Sequence, residues 1–291
     1  MNVLVTGANG QLGSEIKDCY HHFKTLSFVY ADLPELDICD IDAVNIFVLE
    51  NNIKAIINCA AYTAVDKAEG DAENARKVNA KGVSNLLKAM EKVKGKLIHI
   101  STDYVFDGTK PLPYDEEDTV SPIGVYGKTK REGELAVINS TSESIVIRTS
   151  WLYSAYGNNF VKTMIRLGSE KEKLNVIFDQ IGTPTFAGDL ANICLEILSN
   201  QHGRIDKSGK IYHFSNEGVA SWYDFAAAIM EINKLDCVVL PIETKDYPTL
   251  AKRPHYSVLN KTKIKKDFNV TIPYWRHSLV KCIEKLNALK K

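Results

Sequence analysis

The chain has 291 residues, with 36 Lys and Arg against 36 Asp and Glu, 45% hydrophobic residues and 25% charged ones. Zero formal net charge removes any whole-molecule pull toward nucleic acid or an anionic membrane, and no apolar run is long enough to span a bilayer. This size and apolar content suit one large domain, or a core domain with a smaller lobe, and a core that needs neither metal nor disulfide.

In chain order, β-branched runs predict strands at Asn2–Thr6, Leu26–Ala31, Ala55–Asn58, Lys96–Ser101 and Ser144–Thr149. Longer stretches between them predict helices at Gln11–Phe23, Asp40–Asn51, Asp71–Val93 and Tyr126–Asn139. Such alternation predicts an α/β fold, a Rossmann-type doubly wound parallel sheet with helices on both faces. The strands read as nearly continuous apolar runs, as they do when both faces are covered. After Thr149 the pattern loosens. Helices are expected near Asn159–Gly168, Gly188–Asn200, Ser221–Asn233 and Trp275–Leu289, and strands near Leu174–Phe178, Lys210–Phe214 and Val238–Pro241. Residues 1–150 therefore read as a dinucleotide-binding domain and 151–291 mainly as a smaller α/β substrate-binding lobe. Later segments, including one or two strands, are expected to return to the core. The lysines between Lys281 and Lys291 read as the solvated face of a terminal helix.

Six scattered cysteines, Cys19, Cys39, Cys59, Cys194, Cys237 and Cys282, show no metal spacing. Most sit in apolar runs as small hydrophobes. Met1 leads straight into a strand, so no signal peptide is expected, and a reducing cytoplasm is the natural setting.

The first strand ends in Thr6-Gly7-Ala8-Asn9-Gly10-Gln11-Leu12-Gly13 and enters a helix, a G-x-x-G-x-x-G spacing. Gly7 permits positive φ, Gly10 lets the backbone approach a pyrophosphate, and Gly13 lets helix and strand pack closely. The helix N-terminus offers free N–H groups to phosphate. The strand-loop-helix context favours nucleotide binding over a plain glycine turn. The second strand ends at Asp32, a position whose carboxylate commonly bonds a ribose 2′-OH. With no Arg following, Asp32 leans toward NADH over NADPH, although a lysine folding in would reverse this. Asp40 is a candidate helix N-cap.

Tyr126 and Lys130 lie four apart on one helical face. A tyrosine hydroxyl has a pKa of about 10, and a cation beside it favours the phenolate. The pair is a candidate general acid, although surface Tyr–Lys pairs at this spacing are common. Ser101-Thr102-Asp103 leaves the carboxyl end of a strand, the edge where open α/β sheets bind ligands. Thr102 is the hydroxyl expected to bond a substrate carbonyl, with Ser101 the alternative. Taken together, these sites point to nicotinamide-dependent carbonyl reduction.

The glycine loop, Asn58-Cys59-Ala60-Ala61, Asn79-Ala80-Lys81-Gly82, Ser101-Thr102-Asp103 and Tyr126-x-x-x-Lys130 resemble the extended short-chain dehydrogenase/reductase superfamily. Within it, nearly the whole chain resembles the dTDP-4-dehydrorhamnose reductases. That narrower likeness is carried by Ala60 to Glu69, Ser101 to Phe106, Arg148-Thr149-Ser150-Trp151, Gly157-Asn158-Asn159-Phe160 and Arg253-Pro254. The resemblance implies Thr102, Tyr126 and Lys130 as the catalytic residues. The cofactor would be lined by Gly7, Gly10, Gln11, Leu12, Asp32, Asp37, Ile38, Ala60, Ala61, Tyr62 and Thr63, with Tyr126 and Lys130. Thr102, Asp103 and Trp151 would touch a nucleotide sugar. The implied reaction reduces the C4 ketone of dTDP-4-dehydro-6-deoxy-L-mannose to dTDP-L-rhamnose with NADPH or NADH. Asn79 would sit behind the lysine and order a water, or be satisfied within its own helix.

Some members of the family hold Mg²⁺ in a dimer contact. Glu15 matches one acidic ligand, but Gly188 and Lys285 fall where carboxylates would be wanted, so no required metal is expected. Arg253 fits no helical pattern and is read as a bidentate diphosphate ligand ahead of a structural ion pair. The segment 178–185 reads either as a loop closing on substrate or as a plain connection. Ser221 reads as a helix N-cap, and the aromatics after it as core. A monomer or homodimer is expected, with no nucleic-acid or membrane partner. The rivals are a reductase of another nucleotide sugar and a non-catalytic cofactor-binding subunit.

Overall fold

In the computed structural model, which describes residues 1–199 and 210–289, Val3 and Val5 of strand β1 (Asn2–Thr6) enter one hydrophobic cluster and Leu4 another. The two-residue period of a strand produces this split, so both faces of the sheet are covered. Helix α1 (Gln11–Cys19), strand β2 (Ser27–Ala31), helix α2 (Ile41–Glu50) and strand β3 (Ala55–Asn58) follow. The Asp40 side chain caps α2 by accepting from the N–H groups of Asp42 and Ala43, which satisfies two donors the helix cannot.

The stretch read as one helix over Asp71–Val93 is broken. Short helices α3 (Val65–Ala68) and α4 (Ala72–Arg76) lead through a π-helical segment, Lys77–Gly82, into α5 (Val83–Lys92). Such π segments recur at functional sites, and this one carries Asn79. Strand β4 (Lys96–Thr102), helix α6 (Val125–Asn139) and strand β5 (Glu143–Thr149) complete the first half.

The second half runs β6 (Leu152–Tyr153), α7 (Phe160–Glu170), β7 (Lys173–Ile177), β8 (Ile181–Gly182), β9 (Thr185–Phe186), α8 (Ala187–Leu198), β10 (Ile211–His213), β11 (Ala220–Ser221), α9 (Trp222–Asn233), β12 (Val238–Ile242), α10 (Thr262–Phe268) and α11 (Trp275–Ala288). Asn159 caps α7, and Ser221 with Asp224 forms a reciprocal capping box on α9. The expected helix end at Asn200 and the terminal Lys290 and Lys291 lie outside the described residues.

Six parallel strands form the main sheet in the order β10-β5-β4-β3-β1-β2. One later strand, β10, therefore joins the core. From β1 the chain moves outward to β2, then returns to β3 on the other side of β1. That reversal is the switch point at whose carboxyl edge ligands of such sheets bind. The fold is α/β of Rossmann type.

Two apolar cores meet at this edge. Leu12 and Ile16 of α1 pack with Leu190, Cys194 and Leu198 of α8, and with Tyr212, Ile264 and Phe268. The other core joins Tyr153, Val161, Phe225, Ile229, Leu279 and Ile283. Each fully buried aliphatic side chain contributes about 1.5–3 kcal/mol to this packing. The chain thus crosses between the cores several times after residue 150. Among the described residues no helix is long and apolar enough to cross a membrane.

Candidate active site

The glycine loop is shaped by close backbone contacts. Gly7 has φ +62°, and a Cβ on it would lie 2.6 Å from the Ala60 nitrogen. A Cβ on Gly13 would lie 2.6 Å from the Gly7 oxygen, so α1 seats directly on the turn. A side chain on Gly7 would push apart the loops after β1 and β3, and one on Gly13 would lift α1 off the turn. Asp32, at the end of β2, is fixed by two backbone donors. Its Oδ2 accepts from Asn9 N at 3.0 Å and its Oδ1 from Leu33 N at 2.9 Å.

These loops wall a cavity of about 790 Å³ at the carboxyl edge of the sheet, a volume typical of cofactor sites. Every residue expected to touch cofactor lines it, namely Gly7, Gly10, Gln11, Leu12, Asp32, Asp37, Ile38, Ala60, Ala61, Tyr62, Thr63, Tyr126 and Lys130. Thr102, Asp103 and Trp151 line it as well. Arg253 does not. Its guanidinium forks onto Asp66, with Nη1 to Oδ1 at 3.0 Å and Nη2 to Oδ2 at 2.7 Å, and also reaches the Ala251 carbonyl. This is the ion pair of the alternative reading of Arg253.

Three elements deliver the reactive groups. Strand β4 ends in Thr102, whose Oγ1 donates to Asp103 Oδ1 at 3.0 Å and accepts from Tyr104 N. Ser101, the alternative hydroxyl, donates instead to Glu134 Oε1 at 2.6 Å. Helix α6 carries Tyr126 and Lys130, and Lys130 Nζ donates to the Ile100 carbonyl at 2.6 Å. Asn79 is fully buried. Its Oδ1 accepts from Tyr62 N, while its Nδ2 donates to Tyr62 O and Thr129 Oγ1. The own-helix reading of Asn79 gives way to a clamp between the β3 loop and α6.

The Tyr126 pKa is raised rather than lowered, and Lys130 is not among its causes. Burial pushes Tyr126 up to about 12, against a hydrogen bond with Thr102 and with help from the Asp103 charge. Lys130 is itself brought down to about 8 by burial, against the pull of Glu134 and Cys59. Its ammonium is turned to a strand carbonyl rather than to the phenol. The resting tyrosine is therefore a neutral O–H, the form that can give a proton. Burial also raises Asp103 to about 6, although Ser257 and Thr102 bond its carboxylate.

One wall was missed by sequence reasoning. Trp151 holds φ +46°, a strained backbone for a bulky side chain. It stacks on Trp222 with ring centroids 3.6 Å apart and planes 7° from parallel. Trp222 lines the cavity, whereas Phe225, one turn on, is fully buried in the second core as well as reaching the cavity wall. A helix N-terminus rich in aromatics gives no sign of which ring faces inward. Gly157, Asn158 and Asn159 also line the cavity, and Asn159 Nδ2 donates to Gln11 Oε1 at 3.0 Å. The segment 178–185 is not a closing loop. Gln180, Thr183 and Thr185 are buried, β8 pairs with β11, and Gly182 lies against the Trp151 ring.

The Glu15 environment does not fit a metal ion. Glu15 is 1% exposed, its Oε1 accepts from Ser154 Oγ at 2.5 Å, and its Oε2 faces Lys285 Nζ at 2.5 Å. Lys285 also pairs with Asp18. An ammonium already occupies the space between these carboxylates, and a divalent cation there would meet its charge directly.

The comparisons agree with this geometry. The family model described as RmlD substrate binding domain matches residues 1–288. The chain is 43% identical over 284 residues to the dTDP-4-dehydrorhamnose reductase of Aggregatibacter actinomycetemcomitans, covering 95% of this chain and 96% of that one. The crystal structure of a dTDP-4-dehydrorhamnose reductase from Clostridium acetobutylicum superposes with a TM-score of 0.93 at 42% identity, covering 99% of this chain and 100% of that one. A dTDP-4-dehydrorhamnose reductase from Bacillus anthracis, solved in complex with NADP, gives 0.92 at 39% identity, covering 98% of this chain and 99% of that one. The chain belongs to the RmlD substrate binding domain family, alongside these reductases, and is an oxidoreductase.

Proposed function

We propose that the protein reduces the C4 ketone of dTDP-4-dehydro-6-deoxy-L-mannose to dTDP-L-rhamnose. The observation that carries this reading is the meeting of Thr102, Tyr126 and Lys130 in the cavity that the glycine loop opens. When bound, the reduced nicotinamide supplies a hydride. Gly7, Gly10, Gln11 and Leu12 would hold its diphosphate at the α1 N-terminus. Ala60, Ala61, Tyr62 and Thr63 would flank it from the β3 loop, and Asp37 and Ile38 from the segment after β2. Lys130 would hold the nicotinamide ribose.

Thr102 orients the substrate carbonyl oxygen, and Tyr126 gives it a proton as negative charge develops there. The raised pKa keeps that proton on the phenol until then. Asp103 and Trp151 contact the sugar nucleotide. Asp32 presents a carboxylate where the adenosine ribose would lie, which favours a hydroxyl over a phosphate and so NADH over NADPH.

The test is cofactor oxidation by the purified protein over a panel of 4-keto nucleotide sugars, with each cofactor and with EDTA. The expected result is turnover of the keto-rhamnose nucleotide, with NADH used at least as well as NADPH and no loss to EDTA. Turnover of a different keto sugar alone would move the assignment to another reductase of the same class. Turnover of none would refute the reading.

A further inference from the structure

Trp151, the proposed aromatic contact of the nucleotide sugar, has both faces of its indole covered. Trp222 lies on one face, with ring centroids 3.6 Å apart and planes 7° from parallel. Gly182 lies on the other. A Cβ added to Gly182 would meet Cε2, Cζ2 and Nε1 of the ring at 2.6, 2.8 and 2.8 Å. Near-equal distances to three neighbouring ring atoms mean an approach over the face, and Trp222 already fills the opposite one.

One ribbon carries both sides of this grip. Gly182 of β8 pairs with Ala220 of β11, and Trp222 follows β11 directly as the first residue of α9. The Ser221–Asp224 capping box fixes that helix start, and Phe160 of α7 backs Trp222 with centroids 4.7 Å apart. The Trp151 backbone is held separately. Ser150 Oγ donates to the Thr183 carbonyl at 2.8 Å, and the Trp151 carbonyl accepts from Thr185 N at 3.1 Å. Those bonds fix the course of the chain through the strained φ of +46°, but they do not reach the two side-chain torsions of Trp151. The flanking ring and glycine do.

We infer that Trp222 is a positioning residue for the reduction, clamping the Trp151 indole against Gly182 so that the sugar meets its rim. The inference rests on the reading of Trp151 as a sugar contact. Both indoles line the cavity. With both Trp151 faces taken, the exposed part is the rim, the positive edge of an aromatic ring, which suits a sugar oxygen better than a stacked sugar face. An indole freed on one side has roughly three χ1 wells and two χ2 orientations, and would hold the working one about one-sixth of the time. Apparent substrate affinity falls by that fraction.

The test joins steady-state kinetics at saturating reduced cofactor to far-ultraviolet circular dichroism. Trp222→Leu is expected to raise KM for the keto-sugar nucleotide about 6-fold. Its kcat and cofactor affinity hold, because saturating substrate selects the working orientation. Trp222→Phe keeps a ring on the stack and recovers most of the loss. In the Trp151→Leu/Trp222→Leu double variant KM is no higher than in Trp151→Leu alone, because Trp222 acts through that ring. Trp275, the third tryptophan of the chain, contacts Phe225 and Tyr274 instead. An exciton couplet in the parent therefore reports the Trp151–Trp222 stack. It vanishes in either single Leu variant and survives addition of dTDP-L-rhamnose. Effects on KM that add in the double variant mean that Trp222 touches the sugar itself, and they overturn the positioning role. So does a Trp222→Leu variant whose kcat and cofactor affinity fall while KM holds. A parent without the couplet, or a couplet that collapses when the nucleotide sugar binds, overturns the clamp. Trp151→Leu with the parent KM overturns the underlying contact reading, which the other results leave standing.

Discussion

Tyr126 and Lys130 illustrate how spacing and environment part company. A four-residue interval on a helix puts two side chains on one face, and both do line the cavity. The interval does not say that the ammonium will bond a carbonyl of β4, or that burial will dominate both groups. Those facts depend on where β4 ends and how deep α6 sits. Lys130 falls from its usual 10.5 to about 8, which has a consequence for stability. Between pH 8 and 10.5 the unfolded chain binds more protons than the folded one, so stability rises with pH across that window. Below it, the full cost of a buried ammonium is present. Lys130→Met removes that cost. It is expected to melt above the parent at pH 7, by about 1–3 kcal/mol of stability, with the gain shrinking toward pH 10.5, while activity is lost. Thermal melts at several pH values check this, and a variant less stable than parent at pH 7 would contradict it.

At the scale of elements, α6 is pinned to the sheet by a buried ion pair. Glu134 and Arg148 are both fully buried, with Nε to Oε1 at 2.8 Å and Nη2 to Oε2 at 2.9 Å, and Ser101 and Arg131 complete the Glu134 bonds. Burial raises the Glu134 carboxyl, but Arg148, Ser101 and Arg131 outweigh it and hold the group below its usual range. Its contribution is therefore present above the ordinary carboxylate pKa and is lost as pH falls below it. Glu134→Gln leaves a buried guanidinium unpaired and is expected to cost about 3–5 kcal/mol, read by denaturant unfolding at pH 7. A loss below about 1 kcal/mol would show that the pair is dispensable. Gly133, beside it, has room for no Cβ, which would collide with the Asn79 carbonyl oxygen. Gly133→Ala is expected to tilt α6 and lower kcat more than it raises KM, and a purely KM effect would speak against that.

Much of this scaffold was legible in the chain. Asn2–Thr6, Ala55–Asn58 and the runs ending at Thr102 and Thr149 are continuous apolar segments bounded by turns, and they become core strands. Gly7, Gly10 and Gly13 declared the loop because few other patterns need three backbones so close. What stayed hidden depends on tertiary packing. The π segment at Lys77–Gly82 keeps a helical hydrophobic pattern and is set by its fit against α6. Helix α10 buries only Ile264 and Phe268 among lysines, too sparse a signal to stand out. Trp222 lines the cavity stacked on Trp151, 71 residues earlier, and Arg253 is paired with an aspartate 187 residues away.

For the whole molecule, the two cores are tied by charge as well as by apolar packing. Lys285 of α11 reaches Glu15 and Asp18 of α1, while Ser154 and Tyr156 from the segment after β6 bond the same two carboxylates. Burial lowers the Lys285 pKa, but its bonds to Asp18 and Glu15 outweigh it and raise it above the usual lysine value. The link is thus fully present below the ordinary lysine pKa and is lost as pH rises past the folded value. Lys285→Met is expected to cost about 1–3 kcal/mol, discounted because the lysine side chain is 26% exposed. In the parent, EDTA is expected to leave the melting temperature unchanged, since the ammonium fills the place between the carboxylates. A melting temperature that falls with chelator and recovers with Mg²⁺ would contradict that account.

The central claim concerns what Tyr126 does to a bound keto sugar, and one measurement addresses it most directly. The parent and Tyr126→Phe are mixed with dTDP-4-dehydro-6-deoxy-L-mannose and reduced cofactor, and the nucleotide product is identified. The account predicts dTDP-L-rhamnose from the parent, one per cofactor oxidised, and a rate about 10²–10⁴-fold lower from the variant. A parent that oxidises neither cofactor with this substrate, or a variant that turns over as fast, would contradict it.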